Sequence, residues 1–259
     1  MDWFVVAVSI FVLWIVSIFR ILMISFFPSS ISHFNYGDTQ PKKAFLLVIA
    51  HPDDESMFFT PTINYLTSRG HDIHVLCLST GNADGMGNIR KDELYKACGT
   101  LKVPLTHVTV LDHPELQDGF GKVWNHSLIA KFVGDSIKSQ GIDSVITFDS
   151  FGVSGHCNHR DVNYGVRKFL LDYHQSSIEA WELMSTNIFR KYSGPLDIWV
   201  SSYMAWYHSN TKPFCLINEH PLRSFCAMAQ HKSQWVWFRK LFVSFSSYTY
   251  VNTLQRIET

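Results

Sequence analysis

The sequence predicts a doubly wound α/β domain, Rossmann-like with a mostly parallel sheet, preceded by one N-terminal transmembrane helix. Short apolar runs alternate with longer stretches of helical composition between residues 44 and 174. Such alternation is typical of parallel strands connected by helices. A nearly uncharged apolar segment opens the chain, and the 259 residues are enough for this segment and one medium-sized domain.

The apolar segment runs from Trp3 to Phe27 and is interrupted only by Arg20 and a few serines. This length is sufficient to cross a bilayer. A cleavable secretory signal would instead have a positively charged start, a shorter apolar core and a small-residue cleavage site. The chain begins with Met-Asp and has no such site, so residues 1–27 are predicted to be a retained anchor.

The charges flanking the anchor predict its orientation. Asp2 precedes the apolar segment, whereas Arg20, Lys42 and Lys43 lie within its end or after it. Because positive charges favour the cytosolic side, the domain is expected to face the cytosol. Asn125 begins a formal glycosylation sequon that would then stay unmodified, and a glycan on it would contradict this topology.

Residues 28–41 are rich in Ser and contain Pro, Gly and Asn, which predicts a linker before a catalytic domain at 42–259. Within that domain, buried strands are predicted as short apolar runs at Ala44–Ala50, Asp72–Ser79, Thr106–Leu111 and Ile142–Phe148. Amphipathic composition predicts helices at Ser56–Arg69, Ile89–Lys102, Asn125–Ser139 and Asn158–His174. Gly70 and Gly141 follow two of these helices and favour their termination.

The pattern becomes mixed after about residue 178. Two aromatic-rich segments, Ile198–Tyr207 and Phe214–Asn218, are predicted to add edge strands. The apolar stretch Pro221–Phe245 predicts one aromatic C-terminal helix. Within it, the run Trp235–Phe238 fits either core packing or docking at a membrane interface.

Composition excludes several classes of protein. The formal net charge is +0, so the basic patches of a nucleic-acid binder are not expected. The five cysteines are odd in number and include no C-x-x-C pair, which excludes a zinc ribbon and a dense disulfide framework. Free thiols in a reducing compartment are expected instead.

The first candidate site is the sequence A-H-P-D-D-E, which follows the first predicted strand. Pro52 disfavours helical backbone at His51, so the chain leaves the strand extended and then turns. On such a turn His51 and Asp54 can converge on one metal, while Asp53 points elsewhere and can face an attacking water. The simpler interpretation is that the acidic residues only cap the following helix.

The second candidate site is S-G-H-C-N-H-R-D, after the fourth predicted strand. His156 and His159 lie three positions apart at a helix entry, and either imidazole can donate a nitrogen to zinc. A surface pair without a metal is the simpler interpretation. The H-E-x-x-H sequence of zinc proteases and the zinc deaminase signature are both absent.

The expected topology brings the two candidate sites together. Both follow strands, and the strand order 3-2-1-4 places strands one and four side by side at the switch point of the sheet. Ligands of α/β folds bind in the crevice at this point. Two motifs that are weak alone are therefore expected to share one crevice.

With these residues identified, the chain resembles the LmbE-like, or PIG-L, de-N-acetylase family. That family carries A-H-P-D-D-E after its first strand and H-x-x-H after a later one. The loop Leu78–Gly85, followed by Arg90 and Glu93, resembles the family's loop after strand two. His231–Gln234 resembles its C-terminal H/K-x-S-Q element, and the resemblance covers about Lys43 to Phe238.

The resemblance implies a set of roles. His51, Asp54 and His159 would bind zinc, Asp53 would be the general base, and a protonated His156 would stabilise the oxyanion and protonate the leaving amine. Ser154 occupies a position where bacterial members often have an aromatic residue, so no role is transferred to it. A site of two histidines and one aspartate also suits iron or manganese.

Three further residues are candidates for substrate binding. The resemblance places Arg90 near the phosphate or the sugar, although a surface ion pair with Glu93 or Glu115 is the alternative. Asp118 lies in L-Q-D-G, which is also a typical turn sequence. His231 fits either a lining of the site or a helix face in the core.

The resemblance implies a reaction as well. The N-acetyl group of a membrane glycolipid, N-acetylglucosaminyl-phosphatidylinositol, would be hydrolysed to glucosaminyl-phosphatidylinositol and acetate, the second step of GPI-anchor biosynthesis. The chain would be a single-pass protein of the endoplasmic reticulum membrane and would have no nucleic-acid partner. The alternatives are a de-N-acetylase of another N-acetylglucosamine conjugate, or a non-catalytic membrane-tethered module that binds sugars or phosphoinositides.

Overall fold

A computed structural model describes residues 3–26, 42–119, 121–173, 178–207 and 213–258. Seven strands form one sheet in the order β3-β2-β1-β4-β5-β7-β6. The strands are β1 (Ala44–Ile49), β2 (Asp72–Cys77), β3 (Val108–Val110), β4 (Ser144–Phe148), β5 (Glu179–Leu183), β6 (Phe214–Ile217) and β7 (Val251–Arg256). Neighbouring strands from β3 to β5 are parallel, whereas β7 is antiparallel to both β5 and β6.

Helices cover both faces of this sheet. The four longest are α1 (Trp3–Phe26), α4 (Gly87–Thr100), α5 (His126–Gln140) and α7 (Cys157–Asp172). The shorter ones are α2 (Asp54–Met57), α3 (Thr60–Ser68), α6 (Gly152–Gly155), α8 (Ile188–Lys191), α9 (Asp197–Tyr207), α10 (Pro221–Met228) and α11 (Trp237–Phe245).

The alternation of side chains along β1 divides the core into two layers. Phe45, Leu47 and Ile49 belong to the cluster under α3, α4 and α10, whereas Leu46 and Val48 belong to the cluster under α5 and α7. Because successive side chains of a strand point to opposite faces, a strand that is apolar throughout is buried on both sides. The doubly wound fold and the strand order 3-2-1-4 are confirmed.

Helix α5 begins and ends at the residues that the sequence indicates. The side chain of Asn125 accepts hydrogen bonds from the backbone N–H groups of Ser127 and Leu128 and so caps α5. Gly141 closes the same helix with a φ of 63°, a backbone conformation that glycine adopts without strain. The predicted helix Ser56–Arg69 is divided into α2 and α3, with a proline in the first turn of α3.

The region after β5 differs from the prediction. Ile198–Tyr207 is not a strand but lies in α9, because Ser201 donates a hydrogen bond to Asp197 one turn earlier and both residues bind Arg190. These polar contacts overrule the β preference of its aromatic residues. Phe214–Asn218 is confirmed as an edge strand, β6, whereas β5 and β7 were not predicted.

The predicted helix Pro221–Phe245 is wrong as one element. It is divided into α10 and α11 by a turn that contains His231 and Ser233. Ser233 donates hydrogen bonds through its backbone N–H and its hydroxyl to Glu93 of α4, and His231 binds Glu55. These tertiary contacts replace the helical hydrogen bonds that the local composition favours.

The N-terminal helix α1 is long and apolar enough to cross a membrane. Its second half packs against the domain, where Trp199 of α9 donates a hydrogen bond to the hydroxyl of Ser17 at 2.9 Å. Arg20 lies over the same indole ring at 4.3 Å. The predicted linker, residues 28–41, lies outside the described residues, which resume at Lys42 with the start of the domain.

Candidate metal centre and hydrolytic site

The two candidate motifs meet at the carboxyl ends of β1 and β4. The A-H-P-D-D-E turn leaves β1 directly, and the second motif follows β4 through α6 into α7. The ring centroids of His51 and His159 are 5.5 Å apart, and those of His156 and His159 are 4.7 Å apart. The two motifs therefore lie together, as the predicted strand order requires.

The carboxylate of Asp54 lies between the two histidines and is held in place. Its Oδ2 accepts hydrogen bonds from the backbone N–H groups of Ala50 and His51 at 3.0 and 2.8 Å. Its Oδ1 is 3.1 Å from Nε2 of His159, and Oδ2 is 3.8 Å from Nδ1 of His51. Burial raises the pKa of Asp54, but the charges of His159 and His51 and their hydrogen bonds more than reverse this, so the carboxyl stays ionised.

Both histidines direct one nitrogen towards Asp54 and use the other to bond elsewhere. Nε2 of His51 is 3.2 Å from a carboxylate oxygen of Asp118, and Nδ1 of His159 is 3.2 Å from the carbonyl oxygen of Gly152. These oxygens can only accept, so the ring nitrogens facing them donate. If a metal ion were bound, Nδ1 of His51 and Nε2 of His159 would be the nitrogens left to hold it. Metal-binding histidines are usually oriented in this way.

The donor set suits a divalent metal ion. Two imidazole nitrogens and one ionised carboxylate oxygen converge from His51, His159 and Asp54, which is a ligand set that zinc accepts. His156 is a further candidate, because ligand atoms of His51, His156 and His159 lie within 4.8 Å of one another. The two possible sets share His51 and His159.

His156 differs from the expectation of a protonated imidazole. Burial, followed by the charges of His159 and His51, lowers the pKa of His156 to about 4. The ring is therefore neutral at pH 7. It can still donate one N–H to a developing oxyanion, but it carries no extra proton for a leaving amine.

Asp53 occupies a strained position beside this donor set. Its φ of 114° is rare for a residue with a side chain, and such backbone costs about 1–3 kcal/mol. Its backbone N–H donates to Glu55 at 3.1 Å. Its Oδ2 receives both Arg90, at 3.4 Å, and Arg239 of α11. Among the residues that the structure describes, none donates to Oδ1, which leaves that oxygen available for a proton.

Arg90 is buried rather than paired on the surface. Its guanidinium donates to the carbonyl oxygens of Pro52 and Gly81, both at 2.8 Å, and lies 3.6 Å from Asp118. The alternative of a surface ion pair with Glu93 or Glu115 is wrong. Gly81 has no room for a side chain, since a Cβ there would lie 2.5 Å from the guanidinium.

Asp118 reaches the site from the loop after β3. One oxygen binds His51 and the other faces Arg90, so this residue does more than form a turn. Burial raises the pKa of Asp118, but the hydrogen bond and charge of His51 and the charge of Arg90 lower it overall. The carboxylate is therefore ionised where it orients His51.

His231 lies behind the A-H-P-D-D-E turn. Its side chain is fully buried, and its Nε2 is 2.6 Å from Oε1 of Glu55, which also accepts the hydroxyl of Ser56. Burial lowers the pKa of His231, but the charge and hydrogen bond of Glu55 raise it overall. In this position the imidazole supports the turn and presents no surface to a ligand.

Sequence reasoning missed three contacts at the site. Arg239 binds Asp53, Asn158 lies 3.2 Å from Nε2 of His51, and Glu55 binds His231. Arg239 stands with Lys240 inside the run Trp237–Phe245, whose other residues are apolar apart from Ser244, and this basic pair is the one signal that could have identified it. Contacts between residues so far apart in the chain leave no mark on local periodicity.

The chain is similar to a known protein family and to named relatives. Residues 46–170 match the family described as "PIG-L: GlcNAc-PI de-N-acetylase". A protein of Dictyostelium discoideum, named probable N-acetylglucosaminyl-phosphatidylinositol de-N-acetylase, is 36% identical over 88% of this chain and 99% of its own length. The Bos taurus protein named N-acetylglucosaminyl-phosphatidylinositol de-N-acetylase is 37% identical over 81% of each chain.

A solved structure shares the fold. The N,N'-diacetylchitobiose deacetylase from Pyrococcus horikoshii superposes with a TM-score of 0.59, over 83% of this chain and 84% of its own. The sequence identity is 15%, so this likeness concerns the fold alone.

Proposed function

The chain belongs to the PIG-L family of de-N-acetylases, and we propose that it hydrolyses the N-acetyl group of N-acetylglucosaminyl-phosphatidylinositol. The products are glucosaminyl-phosphatidylinositol and acetate, so the reaction is the second step of GPI-anchor biosynthesis. The observation that carries the proposal is a general-base candidate, Asp53, adjacent to a His-Asp-His donor set at the ends of two neighbouring strands.

In this proposal His51, Asp54 and His159 hold the metal ion, and zinc is the ion that we propose. A bound zinc supplies Lewis-acid polarisation of the acetyl carbonyl and lowers the pKa of a water molecule to about 7. The role of the surrounding chain is to orient the ligands. Asp118 and the carbonyl of Gly152 fix which imidazole nitrogen faces the centre.

Asp53 acts as the general base. It removes a proton from the attacking water through Oδ1, since Oδ2 is engaged by Arg90 and Arg239. The strained backbone at Asp53 directs its carboxylate away from that of Asp54, so neighbouring residues take different roles. General-base assistance of this kind contributes about 10²–10⁴ to the rate.

The neutral His156 donates an N–H to the oxyanion of the tetrahedral intermediate. Because its ring carries no extra proton at pH 7, the proton for the departing amine comes from Asp53, which received it from water. The base of the first step is then the acid of the second. Water thus supplies the hydroxyl of acetate and one hydrogen of the free amine.

Arg239 is a better candidate for the substrate phosphate than Arg90. Both contact Asp53, but the side chain of Arg239 is 22% exposed whereas that of Arg90 is 8% exposed. Arg90 is also engaged with two backbone carbonyls. We assign Arg90 and Asp118 to shaping the pocket wall and Arg239 to recognising the lipid-linked phosphate.

The membrane location follows from the substrate and from α1. A glycolipid remains in the bilayer, and α1 is long and apolar enough to retain the enzyme there. We propose a single-pass protein of the endoplasmic reticulum membrane with its domain in the cytosol, as the charges beside the apolar segment predict.

A non-catalytic binding module is less well supported. Such a module has no use for a strained carboxylate next to a metal donor set, and the relatives of the chain are named de-N-acetylases. A soluble N-acetylglucosamine conjugate as substrate would give no reason for the apolar N-terminal helix.

The test is release of acetate from N-acetylglucosaminyl-phosphatidylinositol by the full-length protein in lipid nanodiscs. We expect a chelator to abolish release and added zinc to restore it better than iron or manganese. His159→Ala should lose bound metal and about 10³ or more in rate, because several kcal/mol of transition-state stabilisation are removed. His113→Ala, outside the site, is the matched control. Release that resists the chelator would overturn the metal-dependent mechanism, and no release at all would favour the binding module.

A further inference from the structure

Helices α8, α9 and α11 expose large aromatic and aliphatic side chains, and α9 and α11 both contact residues 194–196, which also contact α1. We call this surface the aromatic face and define it by Phe189, Tyr203, Trp206, Trp237, Phe238 and Leu241. Phe189, Trp237 and Trp206 are 86%, 72% and 70% exposed. Apolar surface of this extent is uncommon on a face that contacts only water.

The contacts of α1 determine where this face lies relative to a bilayer. The apolar span of α1 is Trp3–Met23, and the domain contacts it within that span. Gly194 lies against Trp14, Trp199 binds Ser17, and Ile21 is buried in a cluster with α9 and β7. At 1.5 Å per residue, Trp14 lies roughly 13 Å inside the end of the span at Met23. The start of α9 therefore lies beside a part of α1 that is in the membrane when α1 crosses it.

Helix α11 and the segment after α8 join the same surface. A side chain at Gly194 would lie 3.3 Å from the carbonyl oxygen of Phe245, so the end of α11 meets α1 at the same point. The rings of Tyr192 and Phe242 form an edge-to-face pair with centroids 6.3 Å apart. Helices α9 and α11, which carry most of the aromatic face, thus meet at the point where the domain contacts α1.

The chemistry of the face fits the headgroup region of a leaflet. Trp and Tyr are enriched at membrane interfaces because their rings are apolar and their tips are polar. Lys240 accompanies them, with its ammonium 5.5 Å from the ring of Trp235. Asp197 and Ser201 of α9 form their hydrogen bonds with each other and with Arg190 inside the domain. Moving α9 from water into a membrane therefore leaves these two side chains with their partners.

We propose that the aromatic face inserts into the same leaflet that the C-terminal end of α1 occupies, as a second membrane contact. The side chains of the face then lie between the headgroups and the outer part of the acyl chains. Arg239 projects from α11 to Asp53, so the candidate base is one helix away from the lipid. The insertion rests on α1 crossing the membrane, and its use in presenting a glycolipid rests on the proposed function.

The direct test is hydroxyl-radical footprinting of the full-length wild-type protein in nanodiscs of phosphatidylcholine and phosphatidylinositol, with oxidation measured residue by residue. Phe151, which is 58% exposed, and Tyr173 are internal controls outside the face. We expect Phe189 and Trp237 to be oxidised several-fold more slowly than these controls despite their greater exposure. Equal or faster oxidation would place the face in water and overturn the insertion.

A second test links insertion to substrate access. In Phe189→Asp with Leu241→Asp, KM for a long-chain glycolipid in nanodiscs should rise by roughly tenfold, equivalent to about 1.4 kcal/mol. The rate with a short-chain, water-soluble analogue should not change, and Leu105→Asp, at an exposed site near the opposite sheet edge, is the control. An unchanged KM would overturn the role in presentation. Protection in the footprint without glycolipid hydrolysis would leave the insertion standing and reject the proposed function.

Discussion

The two parts of the sheet contribute differently to the candidate site. The parallel part, residues 44–172, supplies the proposed metal donor set and the candidate base at the ends of β1 and β4. The part from β5 onwards, residues 179–256, contributes no proposed metal ligand. It supplies instead the groups that hold acidic residues of the first part, as Arg239 binds Asp53, His231 binds Glu55 and Ser233 binds Glu93.

This division indicates which properties each part controls. Changes in the parallel part should alter turnover or metal content while the fold is retained. Apart from Arg239, which is assigned to the substrate phosphate, changes in the C-terminal part should first lower the stability of the domain and affect turnover through the position of the A-H-P-D-D-E turn. A change in the parallel part that lowered only stability would show that the division is incomplete. So would a change in the turn at His231 and Ser233 that lowered turnover at normal stability.

The largest effect is expected for Asp53→Asn in the parallel part. The amide cannot accept the proton of the attacking water, so turnover should fall by about 10²–10⁴. The metal donors remain in place, and metal content by mass spectrometry should equal that of the wild type. Glu115→Gln, an exposed acid outside the site, is the control. Turnover near the wild-type value would remove Asp53 from the mechanism and leave the parallel part without its base.

His231→Gln tests the C-terminal part. The change leaves Glu55 buried without its imidazole partner, and breaking a buried pair destabilises by about 3–5 kcal/mol. The measurement is thermal unfolding of the full-length protein in detergent. Normal stability combined with a large loss of turnover would mean that His231 acts in the chemistry instead of supporting the turn.

The same pair makes a prediction about pH. The pKa of His231 is raised in the folded protein above its unfolded value of about 6.5. The contribution of the pair is therefore complete below about pH 6.5 and is lost as the pH rises through the folded pKa. We expect the stability difference between wild type and His231→Gln to shrink as the pH is raised. A difference that grows with pH would contradict this assignment.

Asp118→Asn is expected to have a smaller effect within the parallel part. The residue orients His51 without belonging to the proposed donor set, and loss of such a partner typically lowers metal affinity or activity by about 10–100-fold. Zinc affinity, measured by competition with a chromophoric chelator, tests this. Asp112→Asn, on the same loop but exposed, is the matched control. Unchanged affinity would mean that Asn158 alone is sufficient to orient His51.

The sequence predicted the parallel part better than the rest for a physical reason. Its strands are apolar runs buried on both faces, and its helices begin and end at residues such as Asn125 and Gly141, so the local pattern carries the information. The motifs at the strand ends follow from topology. The position of Asp118 depends on the conformation of the loop after β3, and that of Arg90 on where α4 begins, so only their presence as candidates could be inferred.

The C-terminal part could not be predicted in the same way. Pro221–Phe245 has the composition of one helix, yet the chain breaks at His231 because Glu55 and Glu93 bind the turn from the other part. Aromatic residues suggested a strand at Ile198–Tyr207, whereas the contact between Asp197 and Ser201 fixes a helix. Contacts distant in sequence decide the first element, whereas a polar network within residues 190–201 decides the second. The spacing of apolar residues records neither.

The smallest effect is expected for Ser233→Ala, which makes the comparison quantitative. The hydroxyl donates to Glu93 at 2.6 Å, but the backbone N–H of Ser233 donates to the same carboxylate at 2.8 Å and remains after the change. Losing one of two hydrogen bonds should lower the free energy of unfolding by about 1 kcal/mol. Ser244→Ala, a half-buried serine whose hydroxyl donates only to the carbonyl of Lys240 in its own helix, is the control, and Ser233→Thr should restore most of the loss. A loss of unfolding free energy in Ser233→Ala as large as that in His231→Gln would mean that the two hydrogen bonds to Glu93 form only together. The turn would then join the two parts of the sheet as one cooperative unit.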